Sequence, residues 1–335
     1  MNDRRALQRL AAYPRTALAH LPTPLLRAPN LTRVLDRTAP EILIKMDEHT
    51  GFGLGGNKVR KLEFELAPTR LEGITHLITS GGPQSNHARV TAAAAARLGL
   101  RCILVLNGTA PDPPSGNALL QRLFGAEIRM VPARADRAPA MAEAARSVEK
   151  EGGRALVIPL GASTALGSLG YAAAAVELAA QLDGFEAAPA RTRRTWIFVA
   201  SSSGGTLAGL FLGFSLLGRT GIRLVGVSAD TAERDLMAQV HGLAAGGGRV
   251  LDWHGELLDD MVSCTDAFVG EGYGIPTDEA REATALVGRT EGIVLDPVYT
   301  AKAAAGLIDH IRSGALRPVD RVVFLHTGGH PALLA

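Results

Sequence analysis

A lysine at the start of a helical stretch, beside a flexible glycine-rich loop, is the first feature capable of chemistry. Lys58 closes the run Gly51-Phe52-Gly53-Leu54-Gly55-Gly56-Asn57-Lys58 and is followed by Arg60 and Lys61. Neighbouring cations and partial burial lower a lysine's pKa and favour the neutral amine that a Schiff base needs. Taken alone, the stretch also reads as a solvated basic first turn. Gly51, Gly53 and Gly56 satisfy G-x-G-x-x-G, but five residues separate Gly51 from the strand expected over 42–45. The following strand also lacks the acidic residue that a dinucleotide ribose requires. Asn57, between Gly56 and Lys58, breaks a Walker A loop.

Three further clusters carry polar chemistry. Ser80-Gly81-Gly82-Pro83-Gln84-Ser85-Asn86-His87 leaves the strand expected over 75–79, offering a hydroxyl, an amide and an imidazole at its carboxyl end. Ser85 or Asn86 can equally cap the following helix. Ser201-Ser202-Ser203-Gly204-Gly205-Thr206 joins a strand to a helix. Hydroxyls and unhindered backbone N–H groups at a helix N-terminus suit an anion, and without a Walker lysine a phosphate monoester fits better than a triphosphate. The last cluster combines Tyr273, the run Asp296-Pro297-Val298-Tyr299-Thr300 and the run His326-Thr327-Gly328-Gly329. The two tyrosines read as site phenols or as packing residues. His326 and His330 have i,i+4 spacing, but the glycines between them argue against a helix, so no zinc pair and no metal is expected. No G-x-S-x-G nucleophile elbow occurs.

These groups are positioned by short β-branched runs alternating with longer helical ones. Strands are expected over 42–45, 75–79, 103–107, 128–131, 155–159, 196–200, 222–228 and 321–325. Most are continuous apolar runs, as in parallel strands covered on both faces. Helices are expected over 58–67, 86–98, 116–124, 138–150, 165–181, 206–217, 231–241, 277–289 and 300–313. Such alternation argues for open α/β sheets, whose chemistry lies beyond the carboxyl ends of the strands. The stretch 181–195 reads as loop or weak helix, and 243–263, with Gly246-Gly247-Gly248, as a surface loop.

Composition narrows the classes. The chain has 335 residues, enough for two domains or one large one. With 47% hydrophobic and 20% charged residues, wholesale disorder is excluded. The net charge is +2 without a basic run, and aromatics are 4%, so neither a nucleic-acid nor a membrane-surface partner is expected. Cys102 and Cys264 are too few for a disulfide scaffold or a zinc cluster and read as inert core thiols. With no signal sequence visible and no 18-residue apolar run expected to cross a bilayer, the reading is a soluble, cytoplasmic protein.

A Schiff-base lysine, a phosphate cup and phenols are together the parts of a pyridoxal-phosphate site. The blocks Gly55-Gly56-Asn57-Lys58-Val59-Arg60-Lys61-Leu62-Glu63, Gln84-Ser85-Asn86-His87-Ala88-Arg89, Gly204-Gly205-Thr206-Leu207-Ala208-Gly209, Asp296-Pro297-Val298-Tyr299 and His326-Thr327-Gly328-Gly329 occur in that order. They resemble the 1-aminocyclopropane-1-carboxylate (ACC) deaminase/D-cysteine desulfhydrase family, fold-type II enzymes of the tryptophan-synthase-β kind. The resemblance runs from about Leu21 to the C-terminus. It implies pyridoxal 5'-phosphate as cofactor, a small amino acid as substrate and a homodimer. It also implies an α/β fold of two open twisted sheet domains, a large one from 1–51 plus 163–335 and a smaller one inserted over 52–162.

Residue by residue, the resemblance implies that Lys58 carries the cofactor and later moves the Cα proton. Asn86 would bond the cofactor's 3'-oxygen, and backbone groups of Gly204, Gly205, Thr206 and Leu207 would hold its phosphate. Gln84, Ser85 and His87 would face the substrate, with Tyr273 and Tyr299 flanking ring and substrate. Deaminases of the family typically carry Glu and Leu where Thr300 and Thr327 stand, and the threonines match the desulfhydrases. A carboxylate there would keep the ring nitrogen protonated, which suits cyclopropane opening; a hydroxyl leaves it neutral, which suits loss of a good β-leaving group.

The expected reaction is therefore α,β-elimination, D-cysteine giving pyruvate, ammonia and sulfide. An L-cysteate sulfo-lyase, or a lyase for another β-substituted amino acid, is the alternative, and ACC deamination is disfavoured. A dinucleotide-binding oxidoreductase lacks its ribose ligand, and a non-catalytic binding module usually loses the lysine or the tyrosines. His49, Phe52 and Gly82-Pro83 depart from the family's pattern and are expected to reshape the β-substituent pocket.

Overall fold

In the computed structural model, residues 3–36, 38–185 and 193–335 are described. Helix α1 (Arg4–Ala12), capped by the Asp3 carboxylate, precedes strand β1 (Leu25–Arg27), α2 (Pro29–Leu35) and β2 (Glu41–Met46). Two 3-10 turns lead into α3 (Asn57–Glu65) and the single turn α4 (Pro68–Leu71). There follow β3 (His76–Gly81), α5 (Asn86–Arg97), β4 (Arg101–Asn107), α6 (Gly116–Leu123), β5 (Glu127–Val131), α7 (Arg137–Lys150) and β6 (Ala155–Val157). The chain continues through α8 (Ala165–Gly184), β7 (Thr195–Ser201), α9 (Gly205–Leu216), β8 (Ile222–Ser228) and α10 (Glu233–Val250). It ends with β9 (Val262–Thr265), α11 (Asp278–Glu291), α12 (Thr300–Arg312) and β10 (Arg321–His326).

The strands form two sheets. Six pair in the order β1-β2-β10-β7-β8-β9, parallel except where β1 meets β2, and four pair as β5-β4-β3-β6, all parallel. Strands β2, β7, β8 and β10 are apolar and buried almost throughout because helices cover both faces. One face packs on α8, α9 and α10 through residues such as Leu178, Phe211 and Val240, the other on α11 and α12 through Val287, Ala304 and Ile308. The smaller sheet buries Leu77, Leu104 and Leu106 against Val59 and Leu62 of α3 and Val90 of α5.

Three stretches differ from the sequence expectations. Helix α10 runs on through Gly246-Gly247-Gly248 where a surface loop was expected. These glycines are close-approach points rather than breakers. A Cβ on Gly246 would lie 2.9 Å from Ala165 Cβ, and one on Gly247 2.8 Å from Leu212 of α9. Helix α8 is long and apolar enough to cross a membrane, contrary to the expectation that no such run exists. It is a core helix, packed between α3, α9 and α10, and 61% of its apolar window is buried. Within 181–195, α8 extends to Gly184 and β7 begins at Thr195, while 186–192 lie outside the described residues.

Candidate active site

Both sheets direct the carboxyl ends of their strands into one cleft of about 840 Å³, its open mouth included. That size suits a small ligand. Gly81 and Gly82 follow from β3, Leu160 and Gly161 from β6, Ser201–Gly204 from β7, and Thr327 and Gly328 from β10.

Lys58 reaches the cleft from the first turn of α3. Its delivery depends on Gly55, whose φ of 68° is left-handed and whose position leaves no room for a Cβ against the Glu48 carbonyl. Asn57 then ties three elements together. Its backbone N–H donates to Thr327 O (3.0 Å), its Nδ2 donates to Thr206 Oγ1 (3.0 Å), and its Oδ1 accepts from Lys58 Nζ (2.9 Å). Burial, with the Arg89 guanidinium nearby, lowers the Lys58 amine to about 8, against a smaller opposing effect of the Asp296 carboxylate. Arg60, expected beside Lys58, turns away instead. It pairs with Asp47 (2.9 Å) and Glu177 (2.9 Å) in a buried network, because a nearly solvent-free guanidinium needs carboxylates.

Lys61, one turn on from Lys58, is buried in the cleft wall and donates to Ser163 Oγ (2.9 Å), which in turn shares a hydrogen bond with Ser203 Oγ (2.7 Å). Burial, then the Lys58 charge, lowers its pKa strongly. It faces the loop Ser201–Thr206, where Gly204 at φ 71° turns the chain so that α9 opens with its backbone N–H groups at the cleft. Ser201 Oγ is buried there without a protein partner. Hydroxyls, N–H groups, a helix N-terminus and the Lys61 amine form a cup for a phosphate monoester.

The wall from α5 begins with Ser85, whose Oγ accepts from Ala88 N (3.2 Å) as the helix cap. Asn86 Oδ1 accepts from Asn117 Nδ2 (2.9 Å) and Arg89 Nη1 (3.2 Å), which leaves its Nδ2 to donate outward. His87 is neutral. Burial and the charges of Lys58 and Lys61 push its pKa far down. Thr79 Oγ1 donates to Ile158 O (2.7 Å) and accepts from His87 Nε2 (2.8 Å), so the bare Nδ1 has no protein partner. It can take a hydrogen bond but supplies no charge for a carboxylate.

Tyr273 and Tyr299 meet across the mouth, hydroxyl to hydroxyl, at 2.6 Å. Burial raises both phenols, so both remain O–H donors at neutral pH. The segment bearing Tyr273 is held by buried Lys302, which donates to Val269 O (2.8 Å) and Gly272 O (3.2 Å).

Of the residues singled out in the sequence, Lys58, Ser85, Asn86, His87, Gly204, Gly205, Thr206, Tyr273, Tyr299 and Thr327 line the cleft. Gln84, Leu207 and Thr300 stand outside the lining. Gln84 binds the start of α6, Leu207 is packed beneath Gly226, and Thr300 Oγ1 donates to Asp296 Oδ1 (2.7 Å). His49, Phe52 and Pro83 also lie outside it, so of the departures from pattern only Gly82 touches the cleft. In the sequence Lys61 reads only as Lys58's neighbour, and Arg134 and Arg137 stand before and at the start of α7 in a stretch without motif character, yet all three line the cleft. Among the described residues no group of His, Cys, Asp or Glu is placed to hold a metal. Cys102 and Cys264 are buried, with burial pushing both thiols up to about 12.

A lowered lysine amine beside a phosphate cup fits an aldehyde cofactor bearing a phosphate, and Ser201 Oγ offers that phosphate an unused partner. Comparison with known proteins agrees. The pattern of the family described as pyridoxal-phosphate dependent enzyme matches residues 16–328. The crystal structure of an ACC deaminase homologue is 36% identical with a TM-score of 0.87, covering 99% of this chain and 97% of that one. The processed form of threonine deaminase isoform 2 from Solanum lycopersicum (18% identity, TM-score 0.68, 97% and 84% covered) shares the fold. So does a fungal L-serine ammonia-lyase from Rhizomucor miehei (18%, 0.67, 96% and 96%). The cofactor is pyridoxal 5'-phosphate, and the chain belongs to the fold-type II pyridoxal-phosphate-dependent enzymes of the ACC deaminase/D-cysteine desulfhydrase family.

Proposed function

We propose that this enzyme performs α,β-elimination on a β-substituted amino acid, with D-cysteine, giving pyruvate, ammonia and sulfide, as its leading substrate. The observation that carries this reading is that, among the described residues, no Asp or Glu lines the cleft, while Thr327 does. A cleft without a carboxylate favours a neutral ring nitrogen, which suits expulsion of a ready leaving group over cyclopropane opening.

Bound there, pyridoxal phosphate supplies the electron sink for the Cα–H and Cβ–X electrons. Lys61, the 201–206 loop and the N-terminus of α9 would hold its phosphate, and Asn86 Nδ2 would donate to a ring oxygen. The Lys58 amine, its pKa lowered to about 8, takes the Cα proton in its unprotonated form. Ser85 and the N-terminus of α5 receive the substrate carboxylate, where backbone N–H groups favour an anion. Tyr299 and Tyr273, both protonated, stabilise the departing β-substituent by donating hydrogen bonds as its charge develops. We further propose that the chain acts as a homodimer.

The test is to supply purified holoenzyme with D-cysteine and L-cysteine and to measure pyruvate and sulfide together. The reading expects both products in equal amounts, faster from the D enantiomer. Absence of pyruvate from either enantiomer and from β-chloroalanine would remove elimination as the activity.

A further inference from the structure

Arg89, in the first turn of α5, stands behind the wall of the cleft and outside its lining, almost free of solvent. Its hydrogen bonds go to amides and a carbonyl, none to a carboxylate. Nη1 donates to Asn86 Oδ1 (3.2 Å) and to Asn117 Oδ1 (3.1 Å), and Nη2 donates to the Gly55 carbonyl (2.6 Å). Nε is buried without a partner. Arg60, buried to much the same degree, has Asp47 and Glu177 to pair with. Burial lowers the pKa of Arg89 to about 10 with no carboxylate opposing the shift, and the group is still charged at neutral pH.

An arginine can only donate hydrogen bonds, and that settles which way two amides face. Asn86 and Asn117 both turn their oxygens to it. Asn117 is held in that sense by its Nδ2, which donates to Gln84 O (2.8 Å) and to Asn86 Oδ1 (2.9 Å). With its oxygen taken by two donors, Asn86 has only Nδ2 to present to the cleft, which it lines together with Lys58. The charge behind the amide also polarises it, leaving the outward N–H groups more positive.

A buried positive charge without a carboxylate costs stability until a ligand supplies the anion. The cofactor phosphate has its own donors at the N-terminus of α9, on the larger sheet's side. The other ionisable oxygen of the cofactor is its ring hydroxyl. We propose that Arg89 is the positioning residue through which this site takes the 3-oxygen of pyridoxal phosphate as an anion, the amide of Asn86 carrying the effect from the guanidinium to the ring. The inference depends on the cofactor and not on which amino acid is eliminated.

The test strips the full chain of cofactor and reloads it with pyridoxal 5'-phosphate or with 3-deoxypyridoxal 5'-phosphate, which lacks the ring hydroxyl. Equilibrium binding is followed by absorbance. Any intrinsic difference between the two aldehydes is the same for every protein and cancels against wild type. The affinity ratio, hydroxyl-bearing over deoxy, is expected to fall about 10- to 100-fold in Arg89→Met, the value of one hydrogen bond to a charged group. Asn117→Asp keeps the arginine but sets a carboxylate against it, and there the ratio is expected to fall by more than about threefold. That variant decides the matter if Arg89→Met does not fold. Were Arg89 only a packing residue, both ligands would weaken alike, so a ratio within about threefold of wild type in the folded variants overturns the proposal. Wild-type protein that binds neither ligand would remove the cofactor assignment, and the proposal with it.

Discussion

A charged lysine amine is neither a nucleophile nor a base, and the surroundings of Lys58 act on that charge directly. Burial and Arg89 lower its pKa to about 8, so the neutral fraction grows as pH rises through that value rather than near the usual 10.5. Capture of pyridoxal phosphate by the cofactor-free protein should therefore speed up about tenfold between pH 7 and a plateau above pH 9. Stopped-flow absorbance checks this, and a rate still climbing towards pH 10.5 would show that the amine is unperturbed. At this scale the sequence was informative wherever types and spacing coincide: Lys58, Ser85, Asn86, the 204–206 turn and both tyrosines face one cleft. It was uninformative for charge. Arg60 adjoins Lys58 in the chain yet faces Asp47, whereas Arg89 acts on Lys58, and Arg137 lines the cleft, from distant segments. Nor does spacing show that His87 is neutral, since that depends on Thr79 and on burial.

Elements were legible where their periodicity is long. The runs at β2, β3, β7, β8 and β10 and the helices α3, α5, α8, α9 and α12 stand within a few residues of expectation. Strands β1 and β9, three and four residues long, are too short to show a period, and α2 and α4 hide behind prolines at their first turns. Helix α10 is illegible in the sequence because glycine commonly breaks a helix, whereas in this fold it is also a spacer between helices. The same use recurs where it matters most, under the phosphate cup. Gly209 and Gly213 of α9 let α8 approach until a Cβ on Gly209 would overlap the Ser168 carbonyl and one on Gly213 would lie 2.6 Å from the Ala172 carbonyl. A backbone carbonyl in a core helix cannot swing aside. Gly209→Ala, which gains about 1 kcal/mol of helix propensity, should nonetheless destabilise the protein by about 1–3 kcal/mol through overpacking. Denaturant unfolding checks this; a stabilised variant would mean that α8 and α9 can part.

For the whole molecule, the site depends on two sheets that contribute opposite walls. Lys58 is fastened to the larger sheet's side by its own helix. Arg60 of α3 binds Asp47 after β2 and Glu177 of α8, Tyr171 of α8 donates to Asp47 (2.6 Å), and Lys45 of β2 pairs with Glu177. The smaller sheet supplies Ser85, Asn86 and His87 from α5 and the two arginines at the start of α7. Arg134 spans the cleft to Asp230. On the proposed reading, chemistry is confined to this seam, and Lys58 is the group through which it passes. The most direct measurement is pyruvate release from β-chloroalanine and D-cysteine by wild-type and Lys58→Ala proteins, both incubated with pyridoxal phosphate and matched for folded content. Turnover by the wild type and a loss of at least about 10³-fold in the variant is the result predicted, since covalent attachment and proton transfer vanish together. A variant that keeps turning over near the wild-type rate would contradict the assignment of this cleft as the site of elimination.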